Sequence, residues 1–198
     1  PEDTTAGRGE LITGHKWSVS VPESDGFFPL ARTESGVSGL VSPGFLPDGS
    51  RNRLQIQRLK DKAGNRSNAS SEVEFRECLG WLVGEEGAGI KEILSHAHLT
   101  RLDFAVGSAG LMRQALTLAL NHTQSRRGFG SSLAEQPMMT NILADLAIDS
   151  EASTLMAFRV AAATDAMEGS EQERHLARVT TPLAKFWNCK RAAAFVVE

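Results

Sequence analysis

Cysteine, long apolar runs and net charge are all scarce in this 198-residue sequence, and each scarcity removes a class of protein. The two cysteines, Cys78 and Cys189, lie far apart and in no pattern. They exclude a disulfide framework and read as reduced thiols in a cytosol-like compartment. No apolar stretch approaches the roughly 20 residues of a membrane-spanning helix. With 21 basic and 24 acidic side chains the net charge is −3, which argues against a nucleic-acid binder working through overall charge, although a local basic patch stays open. The five histidines (His15, His96, His98, His122 and His175) have no metal-ligand spacing, and no metal is expected. There is no Gly-x-Ser-x-Gly elbow, no P-loop and no dinucleotide fingerprint with its acid. The first residues read as neither a signal peptide nor a basic leader, so a cytoplasmic location is expected. The start at Pro1 and the end inside a helical pattern at Glu198 give the expectation of a piece of a longer chain.

What is present divides in two. Residues 1–85 read as a small β-domain. Residues 11–13 and 16–20 look like short strands joined by a turn at Gly14-His15. Residues 27–31 follow a Ser24-Asp25-Gly26 turn signal, and residues 38–42 stop before Pro43-Gly44. Residues 53–57 and 72–75 alternate polar and apolar, the period of a half-buried strand. Short strands punctuated by Gly, Pro, Asp and Asn predict an antiparallel sandwich or barrel.

Residues 86–198 read as a partial helical bundle. Ile90, Leu94, Ala97, Arg101, Phe104, Ser108, Leu111, Ala115 and Leu118 step by four and three, a stripe along one face of a helix of roughly 55 Å. Pro137 sits where a second helix can begin, and a third runs from about Glu171, with Pro182 expected to kink or interrupt it. The fold class is therefore α+β: a small antiparallel β-domain followed by the long helices of an incomplete C-terminal bundle.

Few residues signal chemistry on their own. Arg126-Arg127-Gly128-Phe129-Gly130 places guanidinium forks, an aromatic ring and two glycines at a helix end. That set suits a pyrophosphate and a base, and it equally suits an ordinary helix terminus. Arg101 interrupts an apolar stripe; it either snorkels or lines a cleft. Gly64-Asn65-Arg66-Ser67-Asn68-Ala69-Ser70 reads as a polar turn-forming loop. Gly84-Glu85-Glu86-Gly87-Ala88-Gly89 is too acidic to cradle phosphate and reads as a hinge. Trp17 reads as core.

Taken in order, these strings resemble the acyl-CoA dehydrogenase family. Residues 14–20, 58–70 and 84–90, and Arg126-Arg127-Gly128-Phe129-Gly130 with Gln136-Pro137, carry the likeness. The run at 58–70 is similar to the AidB-like, alkylation-response branch in particular. The resemblance implies a flavoprotein that binds FAD, acts on an acyl-CoA-type small molecule, and assembles as a homodimer or homotetramer. It implies that Ser18, Val19 and Ser20 lie against the flavin, with the Ser20 hydroxyl near N5. Ser18 stands where many relatives carry an aromatic residue. Arg126 matches the arginine that reaches the FAD pyrophosphate of a neighbouring subunit; Phe129 and Gln136 match contacts near its nucleotide end. Arg101 matches a position near the substrate cleft. The usual glutamate base would lie beyond Glu198 and the upstream flavin loop before Pro1, so the chain alone is expected to be inactive and to retain cofactor poorly. The alternative base position falls near Thr100, which cannot serve as one. Three functions follow as alternatives: an FAD-dependent oxidoreductase of CH–CH groups, an AidB-type flavin-binding protein of the DNA-alkylation response with little dehydrogenase activity, and a non-enzymatic helical interaction module.

Overall fold

A computed structural model describes residues 2–4 and 7–198, with side chains from residue 9 onward. Pro1, the expected start of the β-domain, lies outside the described residues. The order is β1 (Glu2–Thr4), β2 (Gly7–Ser20), β3 (Gly26–Phe27), β4 (Leu30–Thr33), β5 (Gly36–Pro43), β6 (Leu54–Leu59), β7 (Ser70–Val83), α1 (Gly89–Ser125), β8 (Arg127–Gly128), β9 (Ser131–Ser132), a 3-10 turn (Leu133–Glu135), α2 (Pro137–Ala166) and α3 (Glu171–Val197). The chain packs as two units that divide after Leu94.

In the first unit β7 is the axis. Its sequence alternates through Glu72, Val73, Glu74 and Phe75, and it pairs antiparallel with β2 and β6, then with β5 towards its end. Ile12, Leu40, Val73, Phe75 and Cys78 form the buried core, with Val19, Ala31 and Leu54 packed on it. The expected turn at Gly14-His15 is absent: β2 is one strand of 14 residues. The register shifts between Ile12 and Gly14, and Glu77 opposite has a φ of 57°. The glycine thus marks a bulge, where one strand carries an extra residue, rather than a reversal. The Thr13 hydroxyl accepts the Glu77 N–H (3.2 Å). Trp17 is also not core; its ring is 62% exposed, under Lys60 Nζ at 3.7 Å from the centroid.

Asn52, 4% exposed, closes the sheet beyond the bulge. Its Oδ1 accepts the Leu79 N–H (2.9 Å) and its Nδ2 donates to the Leu79 carbonyl (2.8 Å), so one side-chain amide pairs as a strand residue would. Nδ2 also donates to the Pro43 carbonyl (2.9 Å). Gly89, which opens α1, passes so close to β5 that a Cβ would lie 2.4 Å from Gly39 N and from Ser38 C.

The second unit is built from helices with small interior residues. α2 and α3 run antiparallel: Arg159 makes a two-pronged bond to Glu173 (2.8 and 2.9 Å), Asn188 donates to the Ser153 carbonyl (3.2 Å), and Arg191 pairs with Asp149. Asn188, fully buried, also donates to the Ala105 carbonyl of α1 (3.0 Å), tying three helices with one amide. One cluster joins Ala105, Val160 and Ala184; another joins Met112, Leu116, Ala192 and Phe195. The inward stripe of α1 is therefore Leu102, Ala105, Ala109, Met112 and Leu116. It lies one residue along from the expected stripe, whose Ile90, Leu94, Phe104, Leu111 and Leu118 are all at least half exposed. α3 runs unbroken through Pro182; a missing N–H removes one helical bond without ending the helix.

Replacing Asn52 by Ala would leave the Leu79 N–H unpaired in a dry environment, while the Leu79 carbonyl keeps the Ser42 hydroxyl (2.8 Å). A loss of about 1–3 kcal/mol is expected, the cost of one buried polar group left unsatisfied. Urea unfolding of the Asn52→Ala protein followed by circular dichroism measures it.

Candidate functional site

In the first unit, the end of β2 and the segment joining β3 to β4 enclose a cleft of about 530 Å³. Lys16, Ser18, Val19 and Ser20 form one wall; Phe27, Phe28, Pro29 and Leu30 form the other. The register of β2 on β7 shifts between Lys16 and Val19, which rotates the strand and brings three successive residues to the cleft. The Ser18 and Ser20 hydroxyls make no hydrogen bond among the described residues, so both donors are available to a ligand. The Lys16 ammonium donates to the Leu30 carbonyl (2.7 Å), a strut between the walls. The Phe28 ring fits only because Gly39 has no side chain; a Cβ there would meet it at 2.6 Å. Sequence reasoning named Ser18, Val19 and Ser20 and missed Lys16 and the aromatic wall. The signal for the wall was the Phe27-Phe28-Pro29 string, which the alternation rule reduces to a strand.

In the second unit, Arg126, Phe129 and Gln136 fall on one short element. Beyond α1, β8 and β9 form a hairpin, with Arg127 opposite Ser132 and Gly128 opposite Ser131. Its tip is Phe129-Gly130, both left-handed, at φ 52° and 90°. Two left-handed residues in a row make the turn that suits strand twist, but a bulky aromatic there is an outlier. Phe129 is 101% exposed. Gln136 Nε2 donates to the Gly128 carbonyl (3.2 Å) and secures the hairpin base; its Oε1 accepts no hydrogen bond among the described residues. Arg126 is exposed, and its guanidinium has no partner among the described residues. Glu135 accepts the Ser132 N–H (2.9 Å), and that bond holds its carboxyl below the usual carboxylate range. Arg101 is half-buried on α1. The Thr100 hydroxyl donates to the Ala97 carbonyl (2.9 Å), consistent with a purely structural residue.

Among the described residues no group of His, Cys, Asp or Glu could hold a metal ion, and no helix is long and apolar enough to cross a membrane.

Residues 87–197 match the family model for the acyl-CoA dehydrogenase C-terminal domain. The chain belongs to the acyl-CoA dehydrogenase family. It is 48% identical over 187 residues to the AidB protein of Escherichia coli (strain K12), covering 94% of this chain and 34% of that protein. It is 29% identical over 200 residues to acyl-CoA dehydrogenase family member 11 of Caenorhabditis elegans, covering 94% of this chain and 32% of that one. The crystal structure of Caenorhabditis elegans ACDH-11 in complex with C11-CoA superposes with a TM-score of 0.89 at 27% identity, over 100% of this chain and 35% of that one. The apo-form of Bd2924 superposes at 0.86 with 30% identity, over 95% and 40%. The chain thus spans about a third of the length of these two curated relatives.

Two measurements test the hairpin. Replacing Phe129 by Gly relieves a left-handed φ and removes no contact, so the thermal midpoint is expected to hold or rise; a fall would show that the ring packs. The Ser132 amide reports Glu135. Because the folded carboxyl is depressed, its bond is complete above the unfolded carboxylate range and is lost as pH falls through the lower folded value. In a pH series by NMR the Ser132 amide shift is expected to titrate below pH 4.5, the ordinary glutamate value, and not to titrate in Glu135→Gln.

Proposed function

We propose that this chain is the flavin-facing β-domain and part of the C-terminal bundle of an FAD-dependent oxidoreductase acting on CH–CH groups of acyl-CoA thioesters. The observation that carries the proposal is the cleft beside Ser18, Val19 and Ser20, where two unpaired hydroxyls and an aromatic wall face one another. Its volume of about 530 Å³ lies within the range of small-molecule sites. When bound, FAD would supply a hydride acceptor.

The chain's own residues have separate tasks in this reading. Val19 and the aromatic wall exclude water from the ring face. Ser20 donates a hydrogen bond at its edge, favouring the state in which that edge carries charge. The Lys16 strut keeps the two walls apart. Arg126 offers a planar, permanently charged fork to a pyrophosphate, Phe129 an apolar face to the nucleotide end, and the free oxygen of Gln136 an acceptor. Arg101 holds a polar or anionic part of the acyl-CoA. Sharing of the cofactor between protomers, in a homodimer or homotetramer, belongs to the same proposal.

The 48% identity to AidB favours a second reading: a flavin-binding protein of the DNA-alkylation response with little dehydrogenase activity. The whole protein tests both. Purified from its own host it is expected to be yellow, and Arg126→Ala to lose most of its flavin absorbance. A colourless protein that gains no absorbance with FAD would remove both readings. An acyl-CoA panel then separates them: turnover with any member supports the dehydrogenase, and none with a flavin-loaded protein supports the second.

A further inference from the structure

The cleft wall at Ser18, Val19 and Ser20 rests on a distortion of β2. Lys16 pairs with Val73 and Val19 with Ser71, so Trp17 and Ser18 together face Glu72 alone. β6 is distorted at the same place. Ile56 pairs with Val73 and Arg58 with Glu72, which leaves Gln57 as an extra residue. Glu72 thus has a bulged neighbour on each side. Of residues 16–21, only Trp17 is absent from the lining of the cleft.

The Trp17 ring is instead pinned on the outside of the sheet. Lys60 Nζ stands 3.7 Å from its centroid and the Arg58 guanidinium 5.5 Å. One carboxylate holds both cations. Glu72 is 8% exposed; Arg58 Nε donates to it (2.7 Å), and Lys60 Nζ lies 3.8 Å away. A cation over a ring face is attracted to it, more strongly where water is excluded, and the Lys60 side chain is 18% exposed. The flanks of the segment are fixed in other ways. Lys16 is tied to the Leu30 carbonyl, and Val21, left-handed at φ 52°, donates its N–H to the Ala69 carbonyl (3.0 Å). Between them, the two extra residues have no ladder partner of their own, and the Trp17 ring is what holds them.

We propose that Trp17 is the positioning residue of the cleft: its ring, pinned outside by Lys60 and Arg58 on Glu72, holds the bulge that presents Ser18, Val19 and Ser20 to the ligand. This gives Arg58 and Lys60, at the start of the 58–70 run, a task at the site without contact with the cofactor. The effect on cofactor rests on the flavin reading; the effect on the strand does not.

The whole protein carries the test. Hydrogen exchange read by mass spectrometry on peptides covering residues 16–21 needs no cofactor. In Trp17→Leu exchange there is expected to quicken about tenfold through local opening, with the other strands unchanged. Lys60→Gln, which keeps the ring and removes a charge over it, is expected to quicken it less, and Lys60→Arg to restore the original rate. Trp17→Leu is further expected to weaken FAD binding about threefold to tenfold, the range for one misplaced hydrogen bond. In a protein already carrying Ser20→Ala it is expected to weaken binding no further, because the two changes remove the same contact. Unchanged exchange in both Trp17→Leu and Lys60→Gln overturns the proposal. So does a rise spread over the whole β-unit, or a loss of FAD affinity that adds in full to that of Ser20→Ala. Should Trp17→Leu not fold, the exchange rates of Lys60→Gln and Lys60→Arg decide. An unaltered protein that takes up no FAD removes the flavin reading alone, and the exchange experiment still decides the role of Trp17.

Discussion

The β-unit depends on one constraint: β7 must carry β2 from Ser70 to Gly80, β6 from Ser71 to Phe75 and β5 from Trp81 to Val83, while bending part-way along. The bulge at Arg76-Glu77 provides the bend and breaks the ladder where it occurs. Asn52 repairs the break by presenting an amide with the donor and acceptor spacing of a peptide group to Leu79. A buried peptide group without partners costs more than a made hydrogen bond returns, so the repair matters more than its bond count suggests. The cleft wall at Ser18–Ser20 lies further along the same β2–β7 pair. Its geometry is inherited from that register.

The sequence made the elements legible and hid their irregularities. Alternation located the strands and the steps of three and four located the helices, because each reflects which side of an element is dry. Gly14-His15 was misread because a glycine beside a polar residue looks alike in a turn and in a bulge; the difference is whether the partner strand also carries an extra residue, which is a property of β7. The stripe on α1 was misplaced for another reason. Periodicity weights large apolar side chains, and Phe104, Leu111 and Leu118 outweigh Ala105, Ala109 and Met112. Yet helices that approach closely need small residues between them, and here the alanines face inward.

The candidate site was legible where it follows backbone pattern and opaque where it follows side-chain reach. Ser18, Val19 and Ser20 were placed through their string, but the Lys16 strut depends on where Leu30 comes to lie, 14 residues away. Trp17 shows the same limit. Its neighbours in sequence give no hint that Arg58 and Lys60 cover its ring on the outside of the sheet. A tryptophan stem covered by cations gains burial without entering a core, through the attraction of a positive charge to a ring face.

The helical unit accepts a cost that a purely apolar interior would avoid. Asn188 Oδ1 and the Ser150 and Ser153 hydroxyls are buried without hydrogen-bond partners among the described residues. Alanine or leucine at these positions would remove that penalty, and small-residue interiors of this kind can slide by a turn with little change in contact. Asn188 removes the degeneracy. Its two N–H groups reach the Ala105 and Ser153 carbonyls only in one register, and any slip would strand both donors. In the same way Phe129 carries a strained φ that contributes nothing to packing. Both residues exchange stability for placement, one of three helices against each other, the other of a single ring at the end of α1. The sites that local rules predict worst are thus those where position outweighs folding free energy.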